Sequence, residues 1–341
     1  MTISNNIQKI QKRACAIALA LVLTICIIPA NIANAAEAAA AVVAVVASTA
    51  ATAVADPDSL TIPGVYDESG AGIDSLKKHI ANLEKIIELN IPRAEQIPVL
   101  LYHHLVKESE MTEAQRQNDS VLSVEQFADQ MKYLFDNKYY TASLYDLELY
   151  IDGKMFLPEK TVVITFDDGY RSNTRYAYPI LKKYDFRATI FLITGLIGAK
   201  ENVIEHANWD DLKKCGDVFT YHSHTHNLHR LQRNGQSIFL SSTSTVIAED
   251  LLISKALLST SYLAYPYGQF NRAAKRAMAD AGFRMGFTTV ADYAKRRMDP
   301  LEIPRFTITK NYDINDFESI CKGLIGQTVE DAAPAAAADA V

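Results

Sequence analysis

The sequence is poor in cysteine and in tryptophan, with 4 and 1 of these residues among 341. Cys15 and Cys26 lie in an N-terminal apolar segment, so Cys215 and Cys321 are the pair left for the rest of the chain. Two cysteines cannot build a disulfide framework, so the fold must depend on a hydrophobic core. These two either form one disulfide bond or remain separate buried thiols.

Positive charge is also in short supply. The chain has 34 Lys and Arg against 40 Asp and Glu, a formal net charge of −6. A nucleic-acid ligand needs clustered Lys and Arg to displace counterions from phosphates. The acidic balance therefore argues against a nucleic-acid partner.

The N-terminus has the pattern of a signal peptide. Basic residues precede an apolar run at residues 14–28, and the small residues Ala33-Asn34-Ala35 follow it. The run is shorter than the roughly 20 apolar residues of a spanning helix. We expect residues 1–35 to be a cleaved signal, and the protein to be exported and either secreted or held at the cell surface. Membrane association through an uncleaved segment stays open as the alternative.

Low-complexity composition marks both ends of the remaining chain. Residues 36–56 read as an Ala/Val-rich linker and residues 327–341 as an Ala-rich tail. Residues 57–96 are predicted to be a helical segment, because apolar residues recur there at helical spacing (Leu76, Ile80, Leu83, Ile87). Residues 97–326 are long enough for one domain with a single sizeable core.

Strand-like and helix-like segments alternate through that domain. Strands are predicted at residues 98–102, 139–143, 161–166, 188–193, 218–221, 262–265 and 284–288. Helices are predicted around residues 127–134, 144–151, 176–184, 209–214, 246–258 and 272–281. This α/β alternation favours parallel strands with crossover helices, in a barrel or a doubly wound sheet. In such barrels the functional residues collect at the C-terminal ends of the strands.

Three polar motifs follow predicted strands. Asp167 and Asp168 end the strand at 161–166, Pro266-Tyr267-Gly268 follows that at 262–265, and a third motif puts four histidines within eight residues (His222, His224, His226, His229). Separately, an Asp-Asp-Gly can be a simple turn and a histidine cluster a surface metal trap. Together they indicate a metal site with Asp168 as its carboxylate ligand. Two imidazoles and one carboxylate leave coordination positions open for water and substrate.

Four motifs in order resemble those of the polysaccharide deacetylases, carbohydrate esterase family 4. They are ITFDDGY at residues 164–170, RATIFLI at 187–193, SHTHNLH at 223–229 and AYPYG at 264–268. Upstream, PVLLYHH at 98–104 is similar to the opening strand of the branch that includes bacterial poly-N-acetylglucosamine deacetylases. The resemblance implies a distorted (β/α) barrel and removal of acetyl groups from an N-acetylhexosamine polysaccharide.

The resemblance also assigns roles. It implies that Asp167 is the general base and that the metal is zinc, with cobalt and nickel as alternatives. His222 and His226 fit the usual family spacing, whereas His224 and His229 fit the biofilm-polymer branch. We expect His224 and His229 to bind the metal with Asp168. His226 is expected to hold a ligand's ring through a hydrogen bond.

Two family features are missing. Ala264 replaces the arginine that many members carry ahead of the Pro-Tyr element, and no histidine follows His229 to act as general acid. We therefore expect His103 to donate the proton, with His104 as the spare. The alternative is that the proton comes from metal-bound water or from Asp167 itself, in a slower enzyme.

For the substrate, the resemblance implies that Pro266 and Tyr267 form a wall of the sugar groove and that a backbone N–H beside Tyr267 helps to stabilise the oxyanion. Trp209 is expected to line a sugar subsite, although a lone tryptophan on a helix is more often part of the core. Poly-N-acetylglucosamine is the first substrate candidate and peptidoglycan the second. A carbohydrate-binding relic without turnover and a surface-tethered structural protein are the rival interpretations.

Overall fold

The structure is a computed structural model that describes residues 92–201 and 204–325. The predicted signal peptide, linker and tail lie outside these ranges, as does the helix predicted around residues 75–89. No helix within the two ranges combines the length and the apolar character needed to cross a bilayer. The domain boundaries proposed from the sequence remain predictions.

The described part of the chain alternates short strands with helices. Its strands are β1 (Gln96–Ile97), β2 (Val99–Tyr102), β3 (His104–Val106), β4 (Val121–Ser123), β5 (Tyr140–Thr141), β6 (Thr161–Phe166), β7 (Ala188–Leu192), β8 (Lys200–Glu201), β9 (Ile204–Glu205), β10 (Phe219–Ser223), β11 (Tyr262–Ala264), β12 (Met285–Phe287), β13 (Ala294–Lys295) and β14 (Phe306–Thr307). Its α-helices are α1 (Glu113–Gln117), α2 (Val124–Asp136), α3 (Leu144–Ile151), α4 (Tyr178–Lys183), α5 (Trp209–Lys214), α6 (Ile238–Ser241), α7 (Ser244–Leu258), α8 (Arg272–Asp280) and α9 (Ile314–Cys321).

Eight of these strands form one parallel sheet. Their order is β12-β11-β10-β7-β6-β2-β14, and β5 pairs with the first residues of β6. The Thr288 N–H donates to the Ile303 carbonyl at 2.8 Å, which brings the chain ahead of β14 alongside the end of β12. The sheet therefore curls round on itself, and the expected distorted (β/α) barrel is confirmed.

Side chains of the central strands alternate between two apolar layers. Val99, Val163 and Phe191 pack inside the barrel, whereas Leu100 and Ile164 pack beneath the surrounding helices. Because successive residues of a strand face opposite ways, residues 163, 165 and 167 share the inner face. The alternation along β6 therefore directs the side chain of Asp167 toward the interior of the barrel.

Cys215 and Cys321 are separate buried thiols, so the disulfide alternative is not realised. With these two thiols free, the described part of the chain depends on its apolar core, as the low cysteine content indicated.

Candidate metal centre

Asp168, His224 and His229 form the group that fits a metal ion in the described ranges. One ligand atom from each lies within 4.8 Å of the others. Asp168 Oδ1 is 3.5 Å from His224 Nε2 and 3.4 Å from His229 Nε2. That oxygen is buried and has no hydrogen-bond donor in this structure. A buried carboxylate oxygen facing two imidazole nitrogens suits a cation, since it would otherwise be left without a partner.

A left-handed turn delivers Asp168 to the centre. β6 ends at Phe166, and the backbone of Asp168 has φ 68° and that of Gly169 φ 74°. A Cβ on residue 169 would lie 2.6 Å from Leu192 Cδ2, so glycine is needed there for space as well as for φ. The ring of His206 adds a hydrogen bond, because its Nδ1 lies 3.0 Å from the Asp168 carbonyl.

Each of the two histidines is oriented by a contact on its far side. His224 Nδ1 lies 2.8 Å from the carbonyl of Ala264. A carbonyl only accepts, so Nδ1 carries the hydrogen and the lone pair on Nε2 faces Asp168. The ring of His229 stacks on Tyr267 with centroids 4.4 Å apart. Burial, helped by His224, lowers the pKa of His229 to about 4, so this imidazole is neutral at pH 7 and able to bind a metal.

The other two histidines of the cluster point elsewhere. His222 Nδ1 lies 2.6 Å from Thr260 Oγ1, and His226 Nδ1 lies 2.9 Å from Thr194 Oγ1. Of the two spacings weighed from the sequence, the structure brings the pair His224 and His229 to Asp168. The carbonyl of Ala264 accepts the hydrogen bond that orients His224, and the expected role of His226 in holding a ligand's ring stays a prediction.

Asp167 is held by an arginine that the sequence reasoning missed. Arg305 is fully buried, and its Nη1 and Nη2 donate to the two oxygens of Asp167 at 2.8 and 2.7 Å. Burial alone would raise the pKa of Asp167, but the Arg305 guanidinium, with His224, outweighs it and lowers the pKa to about 2. The arginine missing at residue 264 therefore has a counterpart 138 residues beyond Asp167.

His103 is the histidine of the Tyr-His-His motif that interacts electrostatically with Asp167 and Asp168. Its ring is half-buried, and it contributes to the low pKa of Asp168: burial raises that pKa, while His229 and then His103 lower it. The neighbouring His104 turns away, with Nδ1 2.9 Å from Ser172 Oγ. Of the two candidates for a proton donor, His103 is the one that lowers the pKa of Asp167 and of Asp168, and its role as the donor stays a prediction.

The predicted groove residues differ in exposure. Pro266 is buried, whereas Tyr267 is 40% exposed and has φ 57° while it stacks on His229. Trp209 is 42% exposed at the first turn of α5, so it is not a core residue. Its helix follows Ala207, whose N–H donates to the Gly169 carbonyl at 3.0 Å. The segment that leads into α5 therefore contacts the turn that carries Asp168.

Comparisons with known proteins agree with this arrangement. The sequence model of the polysaccharide deacetylase family matches residues 155–286. A Bacillus subtilis protein named as a polysaccharide deacetylase (YxkH) is 30% identical over 201 residues, 59% of this chain and 67% of that protein. The poly-beta-1,6-N-acetyl-D-glucosamine N-deacetylase of Staphylococcus aureus is 29% identical over 252 residues, 68% of this chain and 85% of that protein.

A solved structure shares the fold. The structure of IcaB from Ammonifex degensii aligns with a TM-score of 0.59 and 25% sequence identity, covering 69% of this chain and 99% of that one. The curled parallel barrel and the matched family model place this chain among the hydrolases that modify carbohydrates. The chain belongs to the polysaccharide deacetylase family.

Proposed function

We propose that this chain is an exported, metal-dependent N-deacetylase that releases acetate from an N-acetylglucosamine polysaccharide. The observation that carries the proposal is the buried, hydrogen-bond-free oxygen of Asp168 between two imidazole nitrogens. The family and the names of the relatives supply the reaction class. Zinc is the proposed metal, because two nitrogens, one oxygen and open positions are a common zinc donor set; cobalt and nickel are the alternatives.

The residues around the centre divide the chemistry. Asp168, His224 and His229 would hold the metal, which when bound polarises an acyl oxygen and makes water more acidic. Asp167, kept ionised by Arg305, takes the proton from the attacking water. His103 donates a proton to the departing amine. A backbone N–H beside Tyr267 would hydrogen-bond the oxygen that becomes negative as the tetrahedral intermediate forms.

Poly-N-acetylglucosamine is the proposed substrate, with peptidoglycan second. Support comes from the Tyr-His-His motif at residues 102–104 and from the substrate named for the staphylococcal relative. The exposed aromatic rings of Tyr267 and Trp209 suit a sugar groove, because sugars stack on aromatic faces. The rival interpretation, a binding relic, rested partly on the missing arginine, and the position of Arg305 removes that reason.

Acetate release tests the proposal. Purified protein would be stripped with a chelator, reloaded with zinc or cobalt, and assayed on β-1,6-linked N-acetylglucosamine oligomers and on peptidoglycan fragments. His224→Asn removes Nε2 but keeps a donor for the Ala264 carbonyl, so it should lose both metal and acetate release. His222→Asn is the matched control, since its amide can still bond Thr260, and it should keep both. Metal retention without acetate release from either polymer would favour the relic.

Export rests on residues 1–35 alone and needs its own test. Expression of the full chain in a bacterial host, followed by fractionation and N-terminal sequencing, should give a protein that starts near Ala36 outside the cytoplasm. Full-length protein in the membrane fraction would favour the uncleaved anchor. Full-length protein in the cytoplasm would refute export.

A further inference from the structure

A carboxylate outside the metal centre holds the segment that carries both histidine ligands. Asp250, on α7, is 7% exposed. Its Oδ1 accepts from the His226 N–H and its Oδ2 from the Asn227 N–H, each at 2.7 Å. One side chain thus fixes two successive peptide groups in the middle of the segment at residues 224–229.

The same segment is held from its other side by the turn after β7. The Thr194 N–H donates to the Thr225 carbonyl at 3.1 Å, and the Gly195 N–H donates to the His226 carbonyl at 3.0 Å. A Cβ on Gly195 would lie 2.2 Å from Asn227 Oδ1, so the turn and the histidine segment are in close contact. The segment is therefore clamped between α7 and this turn, and the Asp250 carboxylate forms the α7 side of the clamp.

The clamp acts on a strained backbone. Thr225 has φ 71°, a left-handed conformation that a β-branched residue rarely adopts. His224 lies immediately before it, and His229 lies two residues beyond Asn227. Hydrogen bonds to a charged acceptor are about twice as strong as neutral ones, so losing the carboxylate would let the strained turn relax and separate the two imidazoles.

We propose that Asp250 is a positioning residue for the metal centre, which sets the geometry of His224 and His229 through the backbone amides of residues 226 and 227. The inference rests on the proposed function, since it assumes that these two imidazoles bind metal. Asp250 would act through these two amides, which donate to its carboxylate, and not through a bond to a ligand ring. Groups that orient ligands in this indirect way commonly change metal affinity or activity by about 10- to 100-fold.

The test is Asp250→Asn with Glu249→Gln as its matched control. Asparagine keeps the size of the side chain but offers one acceptor oxygen, so its NH₂ group would face one of the two amides. Glu249 is the exposed neighbour on the same helix, and its substitution removes the same charge. Zinc affinity is measured by competition with a chromophoric chelator, and the visible absorption of the cobalt-loaded protein is recorded at saturation.

We expect Asp250→Asn to weaken zinc binding about tenfold and to change the cobalt bands, with Glu249→Gln matching the wild type. A purely structural role would instead lower the melting temperature of the metal-free protein while affinity and spectrum stay unchanged, and that result would overturn the proposal. If the asparagine variant does not fold, Asp250→Ser, which is smaller, is judged by the same two readouts. Failure of the wild type to bind zinc or cobalt would refute the proposed function itself, a result distinct from an unaffected variant.

Discussion

Replacing Arg305 by methionine should be among the most damaging single changes in the barrel. The substitution leaves Asp167, 2% exposed, without the guanidinium that contacts both its oxygens. Breaking a buried ion pair from one side costs about 3–5 kcal/mol. The change also removes the Nε donor to the Thr288 carbonyl at 2.9 Å, which adds about 1–3 kcal/mol. The total of about 4–8 kcal/mol approaches the whole stability of a typical domain, about 5–15 kcal/mol.

The double variant Asp167→Asn/Arg305→Met tests where this energy comes from. Without either charge, the main penalty of the single change disappears, because the pair is replaced by neutral groups of similar size. In urea unfolding we expect the double variant to be more stable than Arg305→Met by about 2 kcal/mol or more. Arg284→Met is the matched control: Arg284 pairs with Glu148 while 47% exposed, and its loss should cost about 1 kcal/mol or less.

Two results would contradict this account. A double variant no more stable than Arg305→Met would mean that the buried charge on Asp167 is not what makes the single change costly. If Arg305→Met lowered the free energy of unfolding by less than about 1 kcal/mol, the Asp167–Arg305 pair would contribute no more than a surface ion pair. That result would contradict the reasoning from the full burial of Arg305.

Three further outcomes are expected. His103→Gln should lower kcat by about 10²- to 10⁴-fold without changing zinc affinity, as loss of a general acid does. His104→Gln should leave kcat unchanged. Equal effects of the two substitutions would remove His103 from the mechanism. Gly169→Ala should lower the melting temperature by more than Gly235→Ala does. Both glycines have a positive φ, at which alanine costs about 1–2 kcal/mol, but of the two only residue 169 would place its Cβ against a neighbouring side chain. Equal melting temperatures would speak against the close contact with Leu192. Trp209→Ala should raise KM for sugar oligomers about tenfold, or ~1.4 kcal/mol, and leave stability unchanged. As the control, alanine in place of the exposed Phe135, which packs on Tyr184, should not change KM. An unchanged KM for the Trp209 variant would exclude this residue from the sugar subsite.

The local pattern of the sequence predicted most of the barrel. β6, α3 and α5 begin and end where the sequence placed them, because the strand is an uninterrupted apolar and β-branched run and both helices begin with a capping box (Ser143 and Asn208). β14 has two residues, too few to show a period of its own. The helix α9 was also missed, although Asp313 and Asp316 form a capping box at its start.

The site was predictable only where its residues lie in continuous motifs. Asp168, His224 and His229 come from two short segments that follow strands, and parallel strands bring such segments to one edge. Arg305 has no neighbouring motif, and its role depends on the curl of the sheet that brings the end of β12 next to the chain ahead of β14. His206 and Asp250 bond to backbone atoms far along the chain, a contact that leaves no residue pattern to read.

The two adjacent aspartates show how one turn produces two different carboxylates. In a continuous strand they would face opposite sides of the sheet. Because Asp168 takes a left-handed conformation, both reach the same pocket, but from different directions. Asp167 keeps the inner face of β6, where Arg305 contacts both of its oxygens and leaves it little freedom to rotate. Asp168 instead faces the imidazole nitrogens of His224 and His229 and keeps one oxygen without a donor. A guanidinium on one carboxylate and imidazoles on the other therefore give two chemically identical residues the different surroundings that the proposed proton acceptor and the proposed metal ligand require.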